Sequence, residues 1–220
     1  WYRVVTEFAH PNDGTNYHGW QIQSQHDTIQ GRLLEALTTM LNGYAVKCPG
    51  ASRTDAGVHA LGQVANFQIP DNISISCTSF YHGLNSLTPD DIIITDVRET
   101  FPEFHARFDA WAKTYCYQIL NAPHGSVYHR RFSWYVRQPL DIDAMRKGAQ
   151  CLRGEHDFAS FQASSCSAET SIRTVHAVHI FRGFNFYNFV KSYIFNTFKI
   201  INGPATSETV VYSMSLLLIF

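Results

Sequence analysis

Its 220 residues, 45% hydrophobic and 14% aromatic, give this chain enough apolar material for one large or two small globular domains. A formal net charge of −1 excludes binding to nucleic acid through bulk positive charge, so any such contact has to rest on local clusters, such as His129-Arg130-Arg131 or the separate Arg53, Arg107, Lys113, Arg173 and Arg182. Five cysteines without a Cys-x-x-Cys pair suggest neither a zinc site nor a disulfide framework and point to a reducing compartment, the cytoplasm.

In chain order, residues 2–8 read as a strand, followed by a polar loop to residue 25. Asp27-Thr28-Ile29-Gln30 has the form of a capping box, and Ile29, Leu33, Leu37, Met40 and Leu41 supply one helical stripe behind it. Strands are predicted at 44–47 and 64–69. Phe80, Leu84 and Leu87 mark a second helix, ended by Pro89. Residues 92–97 and 111–120 read as strands, and 121–139 as a loop. Ile142, Met145, Ala149 and Leu152 define a third helix closed by Gly154, and 174–182 is a further strand. His176 and His179 would face opposite sides of that strand, so no metal site is expected. The apolar run at 210–220 is too short to span a bilayer, so no membrane partner is expected, and Trp1 in place of methionine suggests a trimmed start. Strands and helices recur without strict alternation, which predicts an α+β fold with helices packed on a largely antiparallel sheet.

The most informative segment is Ala51-Ser52-Arg53-Thr54-Asp55-Ala56-Gly57-Val58-His59-Ala60. Thr54, Asp55 and Gly57 favour a turn at the entrance to the strand at 64–69, and the loop sets the Asp55 carboxylate beside Arg53. On chemistry alone this reads as a surface turn solvated by an Arg–Asp pair.

The decapeptide resembles the catalytic motif of the tRNA pseudouridine synthase A family, and other segments resemble that family in the same order. They are Asp13-Gly14-Thr15-Asn16-Tyr17-His18-Gly19-Trp20-Gln21; Phe104-His105-Ala106-Arg107-Phe108 with Ala112-Lys113-Thr114-Tyr115-Cys116-Tyr117, matching a central strand motif; and Gly154-Glu155-His156-Asp157-Phe158-Ala159-Ser160-Phe161. The likeness runs from about residue 2 to 182. It implies the pseudouridine synthase fold, with two pseudo-symmetric α+β halves, here 1–100 and 101–220, sharing a largely antiparallel sheet flanked by helices around an active cleft. It further implies a homodimer acting on tRNA, without metal or cofactor, at positions 38, 39 and 40 of the anticodon stem-loop.

By resemblance Asp55 is the catalytic nucleophile, Arg53 the cation that occupies the gap left by an extruded base, and Tyr115 the residue against the uracil. Lys191 falls where the family carries an arginine, and would pair with Asp55. Residues 184–220 depart from the family pattern, which leaves a second expectation: a tRNA-binding or RNA-chaperone protein of the same fold with impaired catalysis. An ordinary glycosidase would require a second carboxylate at a defined distance, and no motif nominates one.

Overall fold

The computed structural model describes residues 2–8, 12–162 and 170–180. They fall into two compact units, 1–111 and 112–220.

The first unit is a three-stranded antiparallel sheet with helices on one face. Strand β1 (Tyr2–Phe8) lies in the centre, paired to β2 (Gln63–Ile69) with Tyr2 opposite Ile69 and Phe8 opposite Gln63, and to β3 (Asp96–Thr100) with Arg3 opposite Thr100. Helix α1 (Ile29–Met40) buries Ile29, Leu33 and Leu37 at helical spacing, and α2 (Cys77–Leu87) buries Phe80 and Leu84. These side chains share one core with Ala65, Phe67 and Ile69, the alternate residues of β2, and the Phe67 and Phe80 rings meet edge to face at 5.3 Å. Each fully buried leucine or phenylalanine contributes roughly 1.5–3 kcal/mol. Cys48 belongs to this core, and burial pushes its thiol up to about 12, so it packs as an apolar residue.

Three local expectations are revised here. The helix start is capped by Thr28, whose Oγ1 accepts from the Gly31 N–H at 3.2 Å. Gln30 does not reach back to close a box; its Oε1 accepts from the Ile22 N–H and its Nε2 donates to the Cys48 carbonyl, while Asp27 pairs with Arg32. Residues 44–47 form no strand. The chain meets the free edge of β2 only at 49–51, where Ala51 N–H donates to Val64 and Asn66 N–H to Pro49, and Pro49 has no N–H with which to extend the ladder backwards. Leu87, read as part of the apolar stripe of the second helix, is exposed.

The second unit contains two short sheets among the described residues. Strand β4 (Ile119–Asn121) pairs parallel with β5 (Trp134–Val136), which lies inside the stretch read as loop. Helix α3 (Ile142–Gln150), capped by Asp141, precedes an antiparallel pair of β6 (Gly154–Asp157) and β7 (Ile172–Val175), with Ala149, Phe158, Val175 and Val178 as its core. Only 119–120 of the strand predicted at 111–120 is paired. Alternation gives a strand its faces but not its neighbour, and among the described residues 111–118 have no ladder partner. The strand predicted at 174–182 lies at 172–175, and residues 176–180 continue without pairing.

Candidate active site

The 52–62 loop leaves and rejoins the sheet at β2, and its neck is closed by Gln63. That buried side chain donates from Nε2 to the Ser52 carbonyl at 2.6 Å and accepts the Ser52 N–H at 3.3 Å. Beyond the neck the loop lies along residues 12–20. The Trp20 N–H donates to the Thr54 carbonyl at 3.1 Å, the Gly57 N–H to the Tyr17 carbonyl at 3.1 Å, and the Asn12 N–H to the Ala60 carbonyl at 3.0 Å. A side-chain bond joins this series where the Gly14 N–H donates to His59 Nδ1 at 3.0 Å.

Glycine at position 19 is required by this docking. Its φ is +80°, and a Cβ there would stand 2.2 Å from the Thr54 carbonyl oxygen. Tyr17 and Trp20 are buried beneath the loop, and the Tyr17 hydroxyl donates to Asp91 Oδ1 at 2.5 Å, tying the arrangement to the connection between α2 and β3. Burial and then the Asp91 carboxylate hold the Tyr17 hydroxyl well above the usual tyrosine range.

Asp55 stands at the exposed tip of this platform. Among the described residues its carboxylate makes no hydrogen bond or ion pair, and neither does the guanidinium of Arg53, two residues earlier and also exposed. The solvated Arg–Asp pair is therefore not formed. The backbone turns directly after the carboxylate, with the Val58 N–H donating to the Asp55 carbonyl at 3.1 Å. An ionised carboxylate left unpaired on a backbone-fixed loop has its lone pairs available for attack on carbon or for taking a proton.

Close by in the sequence of β2, buried Asn66 accepts the Ala106 N–H at 2.8 Å and donates to the Phe104 carbonyl at 3.4 Å. This clamp makes Phe104-His105-Ala106-Arg107-Phe108 a turn rather than the strand expected from its motif, closed by Phe108 N–H to the His105 carbonyl and by His105 N–H to the Asp109 carboxylate. Phe108 is 76% exposed, with the His105 ring 4.3 Å from its own and the Arg107 guanidinium 5.9 Å above it.

The structure thus brings Arg53 and Asp55 together in one loop. Tyr115 lies in the second unit, 41% exposed, and Lys191 and Arg182 fall outside the described residues. In the sequence the 13–21 segment stands out only by its likeness to the family. Its physical role, supplying the hydrogen bonds and the glycine clearance on which the Asp55 loop rests, required the folded geometry. The described residues contain no group of three or more His, Cys, Asp or Glu side chains able to hold a metal ion, and no helix long and apolar enough to cross a membrane.

Fold and site together define an α+β protein that presents, on a loop fastened by hydrogen bonds, a carboxylate with no partner among the described residues. Comparison with known proteins is specific about the family. A model of the tRNA pseudouridine synthase family matches residues 9–109. The tRNA pseudouridine synthase A of Thermoanaerobacter sp. (strain X514) is 41% identical over 203 residues, covering 91% of this chain and 80% of the relative. That of Acetivibrio thermocellus is 41% identical over 194 residues, 87% of this chain and 78% of the relative, and that of Pelobacter propionicus is 46% identical over 168 residues, 76% and 68%. The chain belongs to the tRNA pseudouridine synthase A family.

Proposed function

We propose that this protein isomerises uridine to pseudouridine in the anticodon stem-loop of tRNA, with the Asp55 carboxylate carrying the reaction. The observation behind this reading is the exposed, unpaired Asp55 on a loop fastened to residues 12–20, in a chain of this family. In the isomerisation the bond from the ribose C1′ to N1 of uracil breaks, the base turns, and a bond from C1′ to C5 forms as the C5 proton is lost and N1 gains one. Nothing is oxidised and no water is consumed, so one carboxylate acting as nucleophile or base suffices.

The target base has to leave its stack before Asp55 can reach it. Arg53, unpaired and exposed beside Asp55, is placed in our reading in the gap the base leaves, where a planar cation also meets phosphate. Tyr115 is assigned to the face of the uracil and Lys191 to pairing with Asp55. In the same reading the segments 1–100 and 101–220 correspond to two pseudo-symmetric α+β halves, and two chains assemble to hold one tRNA. Phe108 with Arg107 adds an exposed aromatic and cation of the kind that meets RNA.

The test is incubation of unmodified tRNA with the protein, followed by mapping of pseudouridine at each anticodon-arm uridine. Wild type should convert them, and Asp55→Asn should fall below about one per cent of that rate while tRNA affinity changes less than about tenfold, because a single neutralised carboxylate removes few phosphate contacts. Lys191→Arg should retain turnover and Lys191→Met should not. Tight tRNA binding by wild type without any pseudouridine would favour the RNA-binding reading instead.

A further inference from the structure

Among the described residues no side chain holds the Asp55 carboxylate, so within them its position is set by the backbone that carries it. That backbone is fastened before Asp55 by the Trp20–Thr54 bond and after it by the Gly57–Tyr17 and Asn12–Ala60 bonds, all between main-chain atoms. The Gly14–His59 bond differs in kind, because its acceptor is a loop side chain four residues beyond Asp55. A main-chain N–H can only donate, so its 3.0 Å approach to Nδ1 requires that nitrogen to be unprotonated, which places the proton of the neutral imidazole on Nε2. The Asn12 carbonyl at 3.2 Å and Asp13 Oδ1 at 3.6 Å also lie near Nδ1.

We propose that His59 is a positioning residue for the reaction: through Nδ1 it accepts the Gly14 N–H and so fixes the turn that presents Asp55. The inference rests on the function proposed above, and it assigns His59 no contact with the substrate. Nucleophilic geometry tolerates errors of well under an ångström, and a displacement of that order costs up to about a hundredfold in rate without altering binding. His59 should therefore act on kcat and leave KM for tRNA almost untouched.

Two substitutions of matching shape separate the acceptor from mere filling. In His59→Asn the amide oxygen occupies the place of Nδ1 and accepts the Gly14 N–H. In His59→Leu a methyl group occupies it and cannot. The expected result is that His59→Leu loses about 10- to 100-fold in kcat with KM within about threefold, while His59→Asn keeps kcat within about threefold of wild type. Amide exchange at Gly14, Gly57 and Val58, read on the same proteins without tRNA, should accelerate in the leucine variant and not in the asparagine variant. Equal losses in both variants, or a loss in neither, would overturn the proposal. Should wild type form no pseudouridine, the functional reading fails by itself, and the exchange rates still decide whether His59 holds the turn.

Discussion

The carbonyl oxygen of Thr54 lies where Gly19 leaves room for it: it accepts the N–H of the following Trp20 at 3.1 Å, and a Cβ on Gly19 would come within 2.2 Å of it. Gly19→Ala therefore combines a strained positive φ with overlap against main chain, a cost of about 2–4 kcal/mol. It should also displace the loop and lower turnover at least about tenfold. Gly43→Ala is the control. Its φ is +88° but a Cβ there meets nothing within 4 Å, so it should cost only the backbone strain of about 1–2 kcal/mol and leave turnover unchanged. Urea unfolding midpoints and pseudouridine formation measured on both variants check the contrast.

Arg53→Ala should leave stability within about 0.5 kcal/mol, since the side chain is exposed and has no partner among the described residues. Its effect belongs to catalysis. Turnover should drop more on folded tRNA than on a short unpaired RNA carrying the same uridine, because the proposed task is to hold an opened stack. Equal losses on the two substrates would remove that role.

Tyr17→Phe deletes the hydroxyl that donates to Asp91 and should cost about 1 kcal/mol at neutral pH. The pH dependence has a definite sign. Burial and Asp91 raise the tyrosine above its ordinary value, so the folded protein keeps a proton that the unfolded chain begins to release near pH 10. The contribution is complete below about pH 10 and is lost as pH climbs toward the raised folded value. Unfolding free energy of the wild type should thus fall more steeply above pH 10 than that of Tyr17→Phe, which has no hydroxyl to titrate there. Parallel curves would show that the folded protein does not hold the Tyr17 proton.

Asn66→Ala should be among the more damaging changes in the first unit, at about 2–3 kcal/mol. It removes the acceptor of the Ala106 N–H and a donor to the Phe104 carbonyl, both on buried residues. Released from the clamp, the 104–108 turn should lose order, and amide exchange at Ala106 and Phe108 should rise well before global unfolding. Unchanged protection would mean that the turn is held by its own hydrogen bonds alone.

The family, the α+β class and the helices were legible in the sequence because they depend on local or repeating signals. The stripe Ile29, Leu33, Leu37 repeats at the helical period, and residues 63–69 alternate as a strand should, with Ala65, Phe67 and Ile69 turned to the core. The Asp55 motif announced itself by its succession of residue types. What the sequence left open were relations between distant segments. Gln30 looked like a capping residue and instead bridges Ile22 and Cys48, and residues 44–47 and 111–118 had the composition of strands but no ladder partner among the described residues. The 104–108 motif became a turn because Asn66, some 40 residues earlier, satisfies two of its backbone groups. Arg53 and Asp55 read as an ion pair, yet among the described residues neither side chain has a partner, since residues 12–20 bind the loop through main-chain bonds and the His59 side chain. Periodicity and turn chemistry act over a few residues and are written in the chain; hydrogen bonds between main-chain groups far apart carry no residue signature, and only the tertiary structure decides them.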